Sequence, residues 1–486
     1  MRPSIPTLAV AATGFLGVGA INLKRSGNAA PRVVQHHIQR RDDIVNPIQR
    51  DRNRLRKRQS SSKSVRVELD NEETLYFMNV TLGTPAQDLQ LHIDTGSSDL
   101  WVNVDNSKLC QENGDPCQTS GTYSANSSST YQYLNSDFNI SYVDGSGSAG
   151  DYVTDTLRFG GVTLDEQQFG VGYVSSSTEG ILGIGYPINE VATQYNGGKP
   201  YPNVPWHLVQ NEDINTNAYS LWLNDLSAST GSILFGGVNT AKFQGELYTL
   251  PIIPENGVYA EFVITLTDIG ANGEKDNIAK SQEIPVLLDS GSSLMYLPDT
   301  IAQTIFTAVN AQYSEEQGAA FVDCALRYAE GSIDFTFTGP TISVKLDELV
   351  IVAGIDRGEP VCILGIAPAG SSTPVLGDTF LRSAYVVYDL HNNEISLAPT
   401  NFNVTNTDDN IQEITNSTTN PIPSATLVPN AVTSIAVTPG GHVNGGEPGG
   451  ITFEGTSTVE AFAVQTAAAG YSAAFIGALG VAGLAL

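Results

Sequence analysis

The chain has 486 residues, with 24 Lys+Arg against 51 Asp+Glu and a formal net charge of −27. A body this acidic repels phosphate, which excludes nucleic acid as a partner. Four cysteines with no CxxC pair, and four histidines beyond residue 58 with no ligand spacing, exclude a metal site and call for no cofactor.

In chain order, residues 1–20 read as a signal peptide. Met1-Arg2 precedes an apolar stretch over 8–20 that ends in the small residues Val18, Gly19 and Ala20. That stretch is short of the about 20 apolar residues a spanning helix needs. Residues 21–58 are basic and poor in apolar periodicity. The first 58 residues hold 12 Lys+Arg and 3 Asp+Glu, a net of +9; the rest hold 12 and 48, a net of −36. The basic stretch ends in Arg56-Lys57-Arg58. Cleavage after the Lys57–Arg58 pair is expected, removing a pro-peptide that docks on the acidic body by charge.

Between 65 and 400, short alternating or apolar runs are punctuated by glycine, as over 75–82, 89–93, 151–159, 218–223 and 384–390. These are strand signals, and only a few stretches, such as 298–311, look helical. The fold class is mostly β. Cys110, Cys117, Cys324 and Cys362 suit two disulfides in an oxidising compartment. Proximity favours 110–117 and 324–362, although four cysteines allow three pairings.

Residues 401–455 are rich in Thr, Asn, Pro, Ser and Gly and are expected to form a glycosylated stalk without a core. Residues 456–486 end in an apolar run of small residues, and no Lys or Arg follows Arg382. Small residues, a polar spacer and an apolar tail are a GPI-anchor signal, removed on attachment, with Gly455 as the expected attachment residue. N-glycosylation sequons stand at Asn79, Asn126, Asn139, Asn403 and Asn416. Delivery to the cell surface, on plasma membrane or wall, follows from these ends.

The middle of the chain repeats itself. Asp94-Thr95-Gly96-Ser97-Ser98-Asp99-Leu100-Trp101 is similar to Asp289-Ser290-Gly291-Ser292-Ser293-Leu294-Met295-Tyr296. Each follows an apolar run. An apolar-apolar-Gly element follows each in turn, at Gly183 and Gly377, 89 and 88 residues on. Two homologous β lobes are expected, over 59–242 and 243–400.

Each aspartate sits where a strand ends in a tight turn. Gly96 and Gly291 allow backbone to pass close to a carboxylate. Thr95 and Ser290 can bond across a pseudo-twofold axis, and Ser97 and Ser292 can donate to the carboxylates. If the axis passes between the turns, the carboxylates meet and share one proton. Such a pair activates water without a metal or a covalent intermediate. Tyr142 precedes the glycine-rich tip Asp144-Gly145-Ser146-Gly147, a hairpin able to close over a bound peptide.

On these residues the chain resembles the pepsin-like aspartic proteases over about 66–400. The resemblance implies a bilobal fold, with Asp94 and Asp289 as the catalytic pair. It implies that Tyr142 is the flap tyrosine, with Trp101 as its hydrogen-bond partner. The cysteine spacings resemble that family's disulfides in the two lobes. Val143 and Asp144 depart from the more usual flap tip. With the signal, basic pro-site, stalk and tail, the whole is similar to fungal yapsin-type members. That implies a secreted zymogen, monomeric and anchored to membrane, cleaving peptides beside Lys or Arg. Asp144 is then a candidate contact for a basic side chain. Two alternatives are a non-catalytic wall protein that kept the fold and a carboxylate-pair glycosidase, which predicts separated acids.

Overall fold

The computed structural model describes residues 33–41 and 75–433, except 113, 143–145, 195–197, 229, 357, 406 and 418–420. The expected signal peptide, the Lys57–Arg58 site, Gly455 and the apolar tail lie outside the described residues, as do Asp144 and Gly145.

Strands carry the fold, as the short apolar runs predict. The first half uses β1 (Val34–Arg41), β2 (Leu75–Leu82), β3 (Gln87–Asp94), β4 (Leu100–Asn103), β5 (Gln132–Ser141), β6 (Gly147–Phe159), β7 (Val162–Ser175), β8 (Gly180–Gly183), β9 (Ala218–Trp222) and β10 (Thr230–Phe235). Strand β3 runs parallel to β8, with Asp94 opposite Gly183, and β8 is antiparallel to β4. The second half repeats this. Ile284–Leu288 runs parallel to Val375–Leu376, which is antiparallel to Met295–Leu297.

That arrangement explains the matched spacing. In each half the chain leaves one strand at the aspartate, turns, and returns on the far side of a short strand ending in glycine. A Cβ on Gly183 would lie 2.6 Å from the Ser98 nitrogen, and one on Gly377 would lie 2.2 Å from the Ser292 oxygen. Only glycine lets the short strand press against the turn.

One sheet joins the halves. Ala384–Asp389, β9, β10, β1, β2 and β3 are consecutive neighbours in it. Ala384–Asp389 and β9 are buried along their whole length, which is why they read as continuous apolar runs. The helix expected over 298–311 forms as Asp299–Ala308, with Ile301, Ala302, Ile305 and Phe306 on its buried face.

Two stretches differ from expectation. Strand β1 belongs to the basic segment expected to dock by charge, yet it docks by backbone pairing. It bonds β10 from Val34 to Gln39 and β2 from Ile38 to Arg41, with Ile38 fully buried. The stretch from 401, expected to be a coreless stalk, packs on the body as far as 428. Ile411–Glu413 pairs with Gly237–Asn239, and Ala425–Leu427 pairs with Leu247–Pro251. Ile414 and Ile422 are buried in a cluster with Trp222 and Tyr385. A segment needs no core of its own when an apolar surface is already there. Burying each isoleucine on it contributes about 1.5–3 kcal/mol.

Candidate active site

The two turns hold their carboxylates in the same way. Asp94 accepts from the Gly96 amide at 2.9 Å and from Ser97 Oγ at 2.6 Å. Asp289 accepts from the Gly291 amide at 2.8 Å and from Ser292 Oγ at 2.8 Å. Both aspartates are buried. A carboxylate with two donors on its own turn keeps one orientation.

The turns are also clasped to each other. Thr95 Oγ1 donates to the Leu288 oxygen at 3.0 Å and accepts from the Ser290 amide at 2.9 Å. Ser290 Oγ donates to the Ile93 oxygen at 3.1 Å and accepts from the Thr95 amide at 3.2 Å. All four bonds are buried, and each contributes about 0.5–1.5 kcal/mol. Across the clasp, a Cβ on Gly96 would lie 2.5 Å from Asp289 Oδ1. The backbone of the first turn therefore faces the carboxyl of the second at contact distance. No side chain larger than hydrogen fits at residue 96.

The β5–β6 hairpin is tied to the segment that follows the first turn. The Tyr142 amide donates to the Ser146 oxygen at 2.8 Å and closes the base of the tip. The tyrosine side chain is buried, and its hydroxyl accepts from Trp101 Nε1 at 2.6 Å. Trp101 lies on β4, directly after the first turn, so the hairpin is fastened to the same segment that carries Asp94. Phe138 of β5 packs edge-on against Tyr152 of β6, with centroids 5.3 Å apart.

A buried acid network behind the first turn escaped the sequence reading. Asp99 accepts from Tyr152 Oη at 2.6 Å, Tyr201 Oη at 3.0 Å and the Val191 amide at 2.8 Å. Glu190 accepts from the Tyr201 amide at 2.7 Å. Burial pushes the Asp99 carboxyl above its ordinary range, against the lowering effect of the Tyr152 hydrogen bond. Burial pushes Glu190 up to about 10, and the charge of Asp99 adds to this. A signal was present in the repeat: Leu294 stands in the second copy where Asp99 stands in the first.

The remaining expected residues are dispersed. The disulfides are Cys110–Cys117 and Cys324–Cys362, which settles the open pairing. Asn79, Asn126, Asn139, Asn403 and Asn416 are all exposed. Asn403 has its side chain engaged, since its amide donates to Asp225 and its oxygen accepts from Asn224.

A family model described as eukaryotic aspartyl protease matches residues 75–400. Over 458 residues the chain is 53% identical to the probable aspartic-type endopeptidase opsB of Aspergillus oryzae, covering 93% of this chain and 92% of that protein. Candidapepsin-3 of Candida albicans is 41% identical over 344 residues, 69% of this chain and 82% of the relative. The crystal structure of an aspartic proteinase from Irpex lacteus matches with a TM-score of 0.57 at 21% identity, covering 77% of this chain and 99% of that one. That last likeness bears on the fold alone.

Proposed function

The chain belongs to the eukaryotic aspartyl proteases and is an aspartic endopeptidase, and from that premise we propose that Asp94 and Asp289 act as a single dyad on a water held between them. Two carboxyls brought together on turns clasped in this way share a proton. The ionised one takes a proton from the water as its oxygen attacks the scissile carbonyl carbon. The protonated one gives its proton to the carbonyl oxygen. The tetrahedral product then collapses: the C–N bond breaks and the leaving nitrogen takes up a proton. The observation that carries this reading is the contact of Gly96 with the Asp289 carboxyl across the clasp.

Replacing either aspartate by asparagine removes the proton exchange while keeping the shape. A fall in kcat/KM of about 10²–10⁴-fold is expected. Peptide cleavage that survives in Asp94→Asn would sink the mechanism.

The finer reading is a yapsin-type enzyme that favours Lys or Arg beside the scissile bond. The support is the net charge of −36 beyond residue 58, which attracts basic peptides, and Asp144 in the glycine-rich run that follows Tyr142 in the sequence. Cleavage of a peptide library should show that preference, and Asp144→Asn should reduce it. An unchanged Lys/Arg-to-Leu ratio in kcat/KM removes Asp144 from the role.

We also propose that the protein is a monomer, made with a pro-segment that ends at Arg58 and held at the cell surface by a GPI anchor. The support is the paired basic site and the small-residue apolar tail. The surface protein should begin at Gln59 and be freed as a monomer by a phosphatidylinositol-specific phospholipase. Retention of residues 21–58, or of the protein on the membrane, would contradict this.

A further inference from the structure

Paired basic residues stand at Arg40-Arg41 as well as at Lys57-Arg58. The earlier pair ends β1. Arg40 is paired with Tyr76 and Arg41 with Leu75, and both partners are fully buried. The Arg40 guanidinium donates to the Leu226 carbonyl. An endoprotease takes its substrate as a free extended strand whose backbone groups can pair with the enzyme. In β1 those groups already bond β10 and β2. The bond from Arg41 to Asp42 is therefore open to cleavage only in the fraction of molecules whose β1 has left its slot.

Strand β1 also carries two adjacent histidines, which alternate to opposite faces. His36 shares the face of Val34 and Ile38. It is partly buried, and its ring lies edge-on to Phe159 of β6 with centroids 6.4 Å apart. Arg158 and Asp88, of opposite sign, line the same groove as His36. Neither β2 nor β10 contains a charged residue. Burial holds His36 down at about 4, and the charge of His37 adds to this. On the other face, burial lowers His37, and the charge of the buried Lys242 lowers it further. Asp408 and a hydrogen bond to Gly231 oppose this more weakly. Each histidine thus binds its proton more tightly when β1 is out of the slot. The His36 contribution to docking is present above pH 6.5 and is lost as pH falls toward 4.

We propose that Arg40-Arg41 is a second processing site, latent while β1 is docked and opened by acid through His36 and His37. It is cut by a paired-basic endoprotease, and it rests on the reading of residues 21–58 as a pro-segment. The water hydroxyl ends on the Arg41 carbonyl carbon, the C–N bond to Asp42 breaks, and the amine takes up the water's other proton. While β1 is joined to the body, a strand that leaves its slot returns at high effective concentration. A cut at Arg41 breaks that tether at the moment of opening and makes the loss of β1 permanent. Acid sets how often the slot opens, and the endoprotease makes each opening count.

The test uses the full chain with its pro-segment, made in a host without a paired-basic endoprotease and carrying Asp94→Asn so that it does not cut itself. A purified paired-basic endoprotease is added at pH 7.5 and at pH 5, and the new N-termini are followed by mass spectrometry. Each rate is divided by that for a synthetic peptide spanning residues 34–46 at the same pH. Cleavage after Arg41 should be at least about twenty-fold faster at pH 5 than at pH 7.5 on this scale, from the His36 shift alone. His36→Phe keeps a ring against Phe159 but takes up no proton, and should reduce the acceleration to a few-fold. If that variant is not secreted, His36→Gln should do the same. Equal relative rates at the two pH values, an Arg41 site left uncut at pH 5, or an acceleration that survives both substitutions would overturn the proposal. Cleavage after Arg58 is scored separately: its absence beside an acid-opened Arg41 would remove the Arg58 reading and support this one.

Discussion

The two aspartate turns are alike in front and different behind. Each carboxylate has the same two donors, and each turn gives half of one clasp. Five residues after Asp94 comes Asp99; five after Asp289 comes Leu294, and both are fully buried. Leu294 lies in the main apolar core. Asp99 gathers two tyrosine hydroxyls and a backbone amide. The clasp is what both lobes need to hold a carboxylate. The polar backing is what one lobe needs to hold a hairpin, because Tyr152 is on β6 and ties that strand to the turn.

The largest effect should come from making the first turn like the second. Asp99→Leu strands the Tyr152 and Tyr201 hydroxyls and the Val191 amide. Each buried donor left without an acceptor costs about 1–3 kcal/mol. The urea midpoint of the protein should fall accordingly, and Asp99→Asn, which keeps an acceptor oxygen, should fall less. A loss below about 1 kcal/mol for the leucine variant would mean that apolar packing serves both lobes equally well.

A second effect separates the surroundings of the two turns by pH. Glu190 is raised from 4.5 to about 10, so the folded first lobe binds that proton more tightly than the unfolded chain does. Its contribution to stability is fully present below pH 4.5. It is lost as pH rises toward 10, by at most about 1.4 kcal/mol per pH unit. Asp99, also raised, acts with the same sign. Leu294 does not titrate, although burial also raises Asp389 and Glu394 in the second half of the chain, so the contrast holds for the two turns and not for whole lobes. Hydrogen exchange read by mass spectrometry at pH 5 and pH 8 should therefore show the segments around Asp99 and Glu190 loosening before the segment around Leu294, and Glu190→Gln should reduce the difference. Simultaneous loosening of these segments would break the comparison.

The same contrast shows what was legible in the sequence. The turns were legible because their chemistry is local and written twice. Glycine at 96, hydroxyls at 95 and 290, and the matched distances to Gly183 and Gly377 all have direct counterparts in the structure. The acid network was half legible. Asp99 against Leu294 is visible in the repeat, but Tyr152, Glu190 and Tyr201 come from elements with no counterpart motif. Strand β1 was illegible for a different reason. Its partner β10 lies about two hundred residues away, and a strand slotted between two others needs only Val34 and Ile38 as apolar anchors. The packed part of 401–428 was missed because average composition weighs a segment's own core, not the surface it lands on.

The smallest effect concerns the link between the hairpin and the first turn. Trp101→Phe keeps an aromatic ring against Phe138 but removes the Nε1 donor to the Tyr142 hydroxyl. One such bond contributes about 0.5–1.5 kcal/mol. If the hairpin serves as a lid that must be correctly placed when peptide is bound, the loss appears in kcat/KM as a fall of up to about ten-fold. The urea midpoint should move little, because Tyr142 keeps its backbone closure to Ser146 and its apolar surroundings. The second lobe offers the control: Tyr296→Phe alters the residue that stands where Trp101 does in the first copy. An equal loss of kcat/KM from both substitutions would show that the effect belongs to the turns in general rather than to the hairpin that only the first turn holds.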